Sequence, residues 1–210
     1  MKKSGVLRFP GTNCDRDVFQ AVENSGRKAH WLWYEDQFDF HDFDSLYVPG
    51  GFSFGDYLRS GALAARTPVI KSVREAAAHG VPILGICNGF QILCEAQLLP
   101  GVLLKNEGMR FRDEWVDLEI QNSSSYFKGS GTLKLPIAHG DGRYFIANDG
   151  LKRLHDKNQV WMKYRKNPNG SIEDIAGVMN EAKNVMALMP HPERAIFDWM
   201  GSQDGTGFFA

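Results

Sequence analysis

Cysteine is scarce in this chain. Cys14, Cys87 and Cys94 are the three among 210 residues. An odd, sparse set without a leader-like N-terminus points to a reducing cytoplasm rather than a disulfide framework. The opening "MKKSGVLRFPG" has two lysines but no long apolar segment behind them, so it does not read as a signal peptide. No apolar run approaches the roughly 20 residues that cross a bilayer. Surplus charge is missing too. Lys and Arg total 24 against 25 Asp and Glu, a net charge of -1, so nothing supplies the basic footprint of a nucleic-acid binder. Metal spacings are absent: there is no C-x-x-C and no H-x-x-x-H. The H-x-E at 191–193 is not followed by P-C-x-x-C, so a zinc deaminase is excluded. A P-loop is absent, and "GGFSFG" at 50–55 is not a dinucleotide fingerprint. With no repeat, low-complexity tract or linker, residues 1–210 read as one domain.

What is present is an alternation of strand-like and helix-like segments. Residues 5–10 form a short apolar strand candidate. Residues 14–26 read as a helix, with Val18, Ala21 and Val22 on one face. Strands follow at 28–34 and 45–51, the second broken by Pro49-Gly50-Gly51. A helix is expected at 69–80, a strand apolar on both sides at 81–86, and a helix at 88–99. This order predicts an α/β protein with an open, mostly parallel sheet and helices on both faces. The second half reads differently, as strands at 114–122, 132–140, 159–166 and 174–180, with "NPNG" at 167–170 as a turn. An apolar strand within 185–193 then runs into a proline-rigid corner.

The stretch "PILGICNGFQIL" (82–93) carries the chemistry. Gly85-Ile86-Cys87-Asn88-Gly89 has the G-x-nucleophile-x-G pattern of a strained strand-to-helix elbow, with strand before and helix after. Small residues are needed two places either side because backbone and helix crowd there. Such a turn lifts the thiol above the sheet at a helix start, which favours a thiolate. It also aims the Asn88 N–H at a developing oxyanion. The plain alternative is a small core cysteine in a tight turn. Cys94 fits that description, on the helix face of Phe90, Leu93 and Leu98. Cys14 opens a helix without an elbow and is a rival reactive thiol.

A thiol nucleophile wants a base. His30 and His79 read as structural or solvated, and His41 and His155 as surface residues. His191 lies in "MPHPER" after an apolar strand, between Pro190 and Pro192. Both prolines restrict the preceding residue to extended conformations, which would put His191 and Glu193 on one side. A carboxylate there can hold the imidazole in its working tautomer. The alternative is a loop histidine beside a surface glutamate.

"GICNGFQIL" with a distant "PHPE" resembles the class I (triad) glutamine amidotransferases. "FPGTNCDRD" (9–17), "VPGGFSFGDYLRSGALAA" (48–65), "NEGMRFRDEW" (106–115), "PIAHGDGRY" (136–144) and "MPHPERA" (189–195) are similar, within it, to the glutaminase subunits of phosphoribosylformylglycinamidine synthases. The resemblance spans nearly the whole chain. It implies a flavodoxin-like fold and glutamine hydrolysis through a cysteine thioester. Cys87 would be the nucleophile, His191 the base and Glu193 its orienter. The N–H groups of Gly51 and Asn88 would form the oxyanion hole, and Gln91, His139 and Gly140 would grip the glutamine. The resemblance further implies two partners, a large ATP-dependent synthetase and a small bridging subunit. Ammonia would pass to formylglycinamide ribonucleotide in purine biosynthesis. ATP and Mg would serve the large partner, and this chain would need no cofactor. Asp141 and Phe54 depart from an expected glutamate and tyrosine, and the tail "DGTGFFA" departs from an expected "LF" ending. A stand-alone thiol hydrolase or peptidase of related fold, or a glutaminase for another acceptor, remain open alternatives. The aromatic, acidic stretch at 30–43 reads as core plus a solvated loop, with a docking surface as its alternative.

Overall fold

The computed structural model describes residues 3–124 and 131–210. Its first half runs β1 (Lys3–Arg8), α1 (Asp15–Asn24), β2 (Lys28–Trp33), β3 (Ser45–Val48), α2 (Pro68–Ala78), β4 (Ile83–Ile86) and α3 (Asn88–Glu95). The second half adds β5 (Val102–Leu104), β6 (Arg112–Ile120), β7 (Thr132–His139), β8 (Arg143–Phe145), α4 (Asn148–Asp156), β9 (Val160–Tyr164), β10 (Ile175–Met179) and β11 (Val185–Leu188). Nine strands form one sheet in the order β2-β1-β3-β4-β11-β10-β9-β6-β7, while β5 and β8 pair separately.

The strands β2, β1, β3, β4 and β11 are mutually parallel, and their order matches the flavodoxin-like 2-1-3-4-5 pattern. The strands beyond β11 pair antiparallel. Only β10 and β6 therefore run against the common direction, so the sheet is mostly parallel, as the alternation predicted.

Parallel strands covered on both faces must be apolar throughout. Ser45–Val48 and Ile83–Ile86 are buried at every position. The chain steps one way from β1 to β2 and the other way from β3 to β4. Right-handed crossovers then put α1 and α2 on opposite faces. The α1 face carries the C-terminal segment, where Phe209 stacks on Tyr47 with ring centroids 5.5 Å apart. Phe208 and Phe209 are fully buried, so the tail docks despite its unusual ending. The other face carries α3, whose residues from Asn88 to Cys94 are all buried. Burying side chains such as Phe90, Ile92 and Leu93 stabilises by about 1.5–3 kcal/mol each.

The sequence pattern missed α4, because "NDGLKRLHD" offers only Leu151 and Leu154 as apolar anchors. His155 lies in that helix, exposed as expected, and pairs with Glu173. The helix expected at 88–99 ends at Glu95. In the 30–43 stretch, Leu32 is buried and Phe38, Phe40 and Phe43 pack against the core. Trp31 stays half exposed, stacked on Phe19 at 4.2 Å. No helix among the described residues is long and apolar enough to cross a membrane.

Candidate active site

In open parallel sheets, ligands bind beyond the carboxyl ends of the strands where the strand order reverses. Here that point lies between β1 and β3. The loops after β1, β3, β4 and β11 converge there, carrying Cys14, Gly50-Gly51, Cys87 and His191.

Cys87 joins β4 to α3 with φ 50° and ψ -105°, a left-handed conformation that a side chain adopts only under strain. The elbow is held from both sides. The Cys87 N–H donates to Leu188 O at 2.9 Å, and the Cys87 carbonyl accepts from Phe90 N–H at 2.9 Å. The reason for Gly89 is steric: a Cβ there would run into the Val48 carbonyl. At Gly85 it would stand 2.6 Å from Leu93 Cδ1. The Cys87 thiol is buried, 3.8 Å from the Ala138 carbonyl oxygen.

His191 and Glu193 are both buried, and His191 Nδ1 lies 2.6 Å from Glu193 Oε1. The extended corner expected from the two prolines holds only as far as His191. Pro192–Arg194 is a turn of 3-10 helix. That turn, rather than strand alternation, brings residues i and i+2 together. The His191 N–H donates to Pro136 O at 2.8 Å, which fixes the loop against β7. Nδ1 is held by the carboxylate, and Nε2 has no well-formed hydrogen bond among the described residues. The groups adjoining the ring are the Cys87 and Cys14 thiols. Burial works against a charged imidazole. The Glu193 carboxylate, helped by both thiols, outweighs it and holds His191 well above its usual value.

Gly50 shows how tightly these groups converge. A Cβ there would stand 2.9 Å from His191 Cε1, 3.3 Å from Cys87 Cβ and 3.4 Å from Cys14 Sγ. Gly51 has φ +137°, and a Cβ on it would press on Asn13 N at 2.6 Å. The Pro-Gly-Gly sequence is thus explained by crowding from the protein's own residues, not only by approach to a substrate.

Cys14, read from sequence as a rival thiol, belongs to the same site. Ligand-type atoms of Cys14, His191 and Glu193 all lie within 4.8 Å of one another. Arg194 donates from a guanidinium N–H to Cys14 Sγ at 3.1 Å. Burial pushes the Cys14 thiol up, favouring its neutral form. Cys94 lies in the core, where burial pushes its thiol far up.

Two cavities meet at Cys87. One, of about 230 Å³, reaches Cys14, His191 and Arg194. The other, of about 180 Å³, is lined by Gly51, Gln91, His139, Gly140 and two acids, Asp56 and Asp141. The expected site residues therefore come together in space. Asn88 is the first residue of α3, where backbone N–H groups lack intrahelical acceptors. Its side chain accepts from Ser53 N–H at 3.1 Å and donates to Gln91 Oε1 at 2.7 Å. Gln91 donates in turn to the Asp141 carbonyl at 2.6 Å. Both ends of the Gln91 amide are thus engaged within the protein.

His139 is buried. Asn106 fixes its tautomer, because Asn106 Nδ2 donates to the His139 and Arg110 carbonyls at 2.8 and 2.9 Å. Asn106 Oδ1 must then be the acceptor for His139 Nδ1 at 3.1 Å. Nε2 is left as a lone-pair acceptor without a partner among the described residues. Burial, and the charge of His191 nearby, bring this imidazole down to about 4. Sequence reasoning missed Asp56, Ser60, Asn106 and Arg194. Asp56 occupies a left-handed loop (Phe54 φ 54°, Asp56 φ 54°, Leu58 φ 70°) that no local pattern announces.

Among known families, the one described as CobB/CobQ-like glutamine amidotransferase domain matches residues 2–206. Among solved structures, the chain resembles PurLQS from Thermotoga maritima, with 43% identity, 99% of this chain and 95% of that chain covered, and a TM-score of 0.90. A putative GMP synthase component from Thermoplasma acidophilum shares the fold at 18% identity and TM-score 0.67, over 100% of this chain and 90% of that one. So does a glutamine amidotransferase from Thermotoga maritima at 15% identity and TM-score 0.63, over 92% and 77%.

Proposed function

The chain belongs to the CobB/CobQ-like glutamine amidotransferase family, and on that premise we propose that it is the glutaminase subunit of a phosphoribosylformylglycinamidine synthase, an enzyme of purine biosynthesis. It hydrolyses glutamine and delivers the ammonia to a synthetase subunit, which converts formylglycinamide ribonucleotide to the amidine. The observation that carries the reading is the strained thiol at Cys87 beside the buried His191–Glu193 pair, 2.6 Å apart.

In the mechanism that this geometry supports, His191 Nε2 takes the Cys87 proton and the thiolate attacks the side-chain amide carbon of glutamine. The C–N bond breaks, the imidazolium protonates the leaving nitrogen, and ammonia departs from a γ-glutamyl thioester. His191 then deprotonates a water molecule, which attacks the thioester to release glutamate and restore the thiol. Glu193 holds Nδ1–H throughout and stabilises the imidazolium between steps. The N–H groups of Asn88 and Gly51 receive the tetrahedral oxyanion. Gln91, His139 and Gly140 form the wall against which the rest of the substrate lies.

In this reading the chain works without a cofactor. ATP and Mg belong to the large synthetase subunit, with a small third subunit bridging the two, and the complex is cytoplasmic. Exposed apolar side chains support docking beside the site: Phe52 and Phe111 line the cavities at Cys87 and are exposed.

The test is Cys87→Ala in the assembled complex. Glutamine-dependent amidine formation is abolished, while the synthetase still uses free ammonia. Loss of both activities would contradict the division of labour.

A further inference from the structure

The sequence carries no metal-ligand spacing, yet three loops assemble a ligand set in space. Cys14 comes from the loop after β1, Cys87 from the elbow and His191 from the loop after β11, and all three line the cavity of about 230 Å³. Ligand-type atoms of Cys14, His191 and Glu193 lie within 4.8 Å of one another. Glu193 is already engaged, because its Oε1 holds His191 Nδ1 at 2.6 Å. Nε2 is therefore the ring atom left to bind something else. It is buried without a well-formed hydrogen bond among the described residues, on a side chain that is 2% exposed. Both thiols adjoin this ring. No side chain stands between the two cysteines at Gly50, where a Cβ would lie 3.3 Å from Cys87 Cβ and 3.4 Å from Cys14 Sγ.

Two sulfurs and an imidazole nitrogen suit a borderline-soft divalent cation such as Zn²⁺. A ligating histidine characteristically gives its other ring N–H to a carboxylate, and His191 has Glu193 in that place. Three protein ligands with a fourth position facing a cavity make the open form of a tetrahedral zinc site. Zinc bonds of about 2.3 Å to sulfur and about 2.0 Å to nitrogen set ligand atoms roughly 3.5–3.8 Å apart. Cys14 and His191, within 4.8 Å here, need close by no more than about 1 Å to reach that. One group opposes a cation: Arg194 donates to Cys14 Sγ at 3.1 Å. Its guanidinium is 36% exposed and also lies 3.7 Å from Asp17, so it has a carboxylate to turn to when Cys14 takes a metal.

We propose that Cys14 Sγ, Cys87 Sγ and His191 Nε2 form a binding site for a zinc-class divalent cation, and that its occupancy reversibly blocks glutamine hydrolysis. The ion acts as an inhibitor and not as a cofactor. It takes the Cys87 sulfur and the Nε2 lone pair, the two groups that begin the reaction. Cys14, which the mechanism leaves unused, turns a thiol–imidazole pair into a three-ligand site. The inhibitory consequence rests on the glutaminase reading above, whereas the metal site does not.

The experiment has a binding arm and an activity arm. In the first, Co²⁺ alone is titrated into the full chain, and Zn²⁺ is then used to displace it. The wild type develops a sulfur-to-cobalt charge-transfer band that saturates at one ion per chain. Cys14→Ala weakens Zn²⁺ binding by more than about 100-fold, beyond the loss of an outer-shell partner. Cys14→Ser, nearly equal in size, behaves the same way, which separates ligation from packing. Arg194→Gln, which removes the opposing charge, tightens binding. In the second arm, Zn²⁺ stops glutamine-dependent amidine formation by the complex at concentrations that spare the ammonia-dependent reaction, and a chelator restores it. The Cys14→Ala complex uses glutamine but resists the ion. Absence of the charge-transfer band, or wild-type Zn²⁺ affinity in both Cys14 variants, would overturn the site. Equal loss of the glutamine- and ammonia-dependent reactions would overturn the block at Cys87. If the chain binds the metal through Cys14 but the metal-free complex uses no glutamine, the glutaminase reading falls and the metal site stands.

Discussion

In the proposed mechanism Glu193 orients the base through its contact with His191 Nδ1, so Glu193→Ala leaves the thiol and the imidazole in place. Turnover of glutamine is expected to drop on the order of 10², less than for Cys87→Ala, and stopped-flow glutamate release checks it. Unchanged turnover would mean that the 2.6 Å contact does not orient the ring. Burial first, then Asp141, push the Asp56 carboxyl up to about 6, while Ser60, Asn88 and the Gly61 N–H pull the other way. At this scale Cys87, His191 and Glu193, which the structure brings together, were legible in the sequence, because an elbow and a proline corner are local patterns. Arg194, and the place of Cys14 beside His191, were not, because they are set by loops 180 residues apart in the chain.

The elbow is the element on which the site depends. Gly89 lets α3 press against the end of β3, and a methyl group there would meet the Val48 carbonyl, which the sheet cannot easily move. Gly89→Ala should cost about 1–3 kcal/mol, seen as a lower urea midpoint with an unchanged slope. A substitution tolerated without loss would mean that α3 is free to slide. The alternation of strand and helix in the first half was readable because apolar runs and periodic faces are local. The helix α4 was not, since two leucines anchor it and the rest faces solvent. The 3-10 turn at Pro192–Arg194 broke the extended run assumed beyond His191, yet brought His191 and Glu193 together by another route.

At the scale of the whole molecule, a parallel half builds the site and an antiparallel half supports it. The strand β7 supplies Ala138 and His139 to the cavity, and its Pro136 carbonyl anchors the His191 loop. The C-terminal segment joins the halves: Phe208 meets Trp161 of β9, and Phe209 meets Tyr47 of β3. Phe208→Ala should cost about 3–5 kcal/mol, measured by thermal or urea unfolding, while a shift below about 1 kcal/mol would show that the tail only rests on the surface. The pairing of strands across the second half could not be read from composition, because antiparallel register depends on partners far apart in sequence. The most direct test of the central claim is to trap the intermediate. The complex turning over glutamine is quenched in acid, which preserves a thioester, and its peptides are mapped by mass spectrometry. The account predicts a γ-glutamyl adduct on Cys87. Turnover with the adduct on Cys14, or with none on any cysteine, would contradict it.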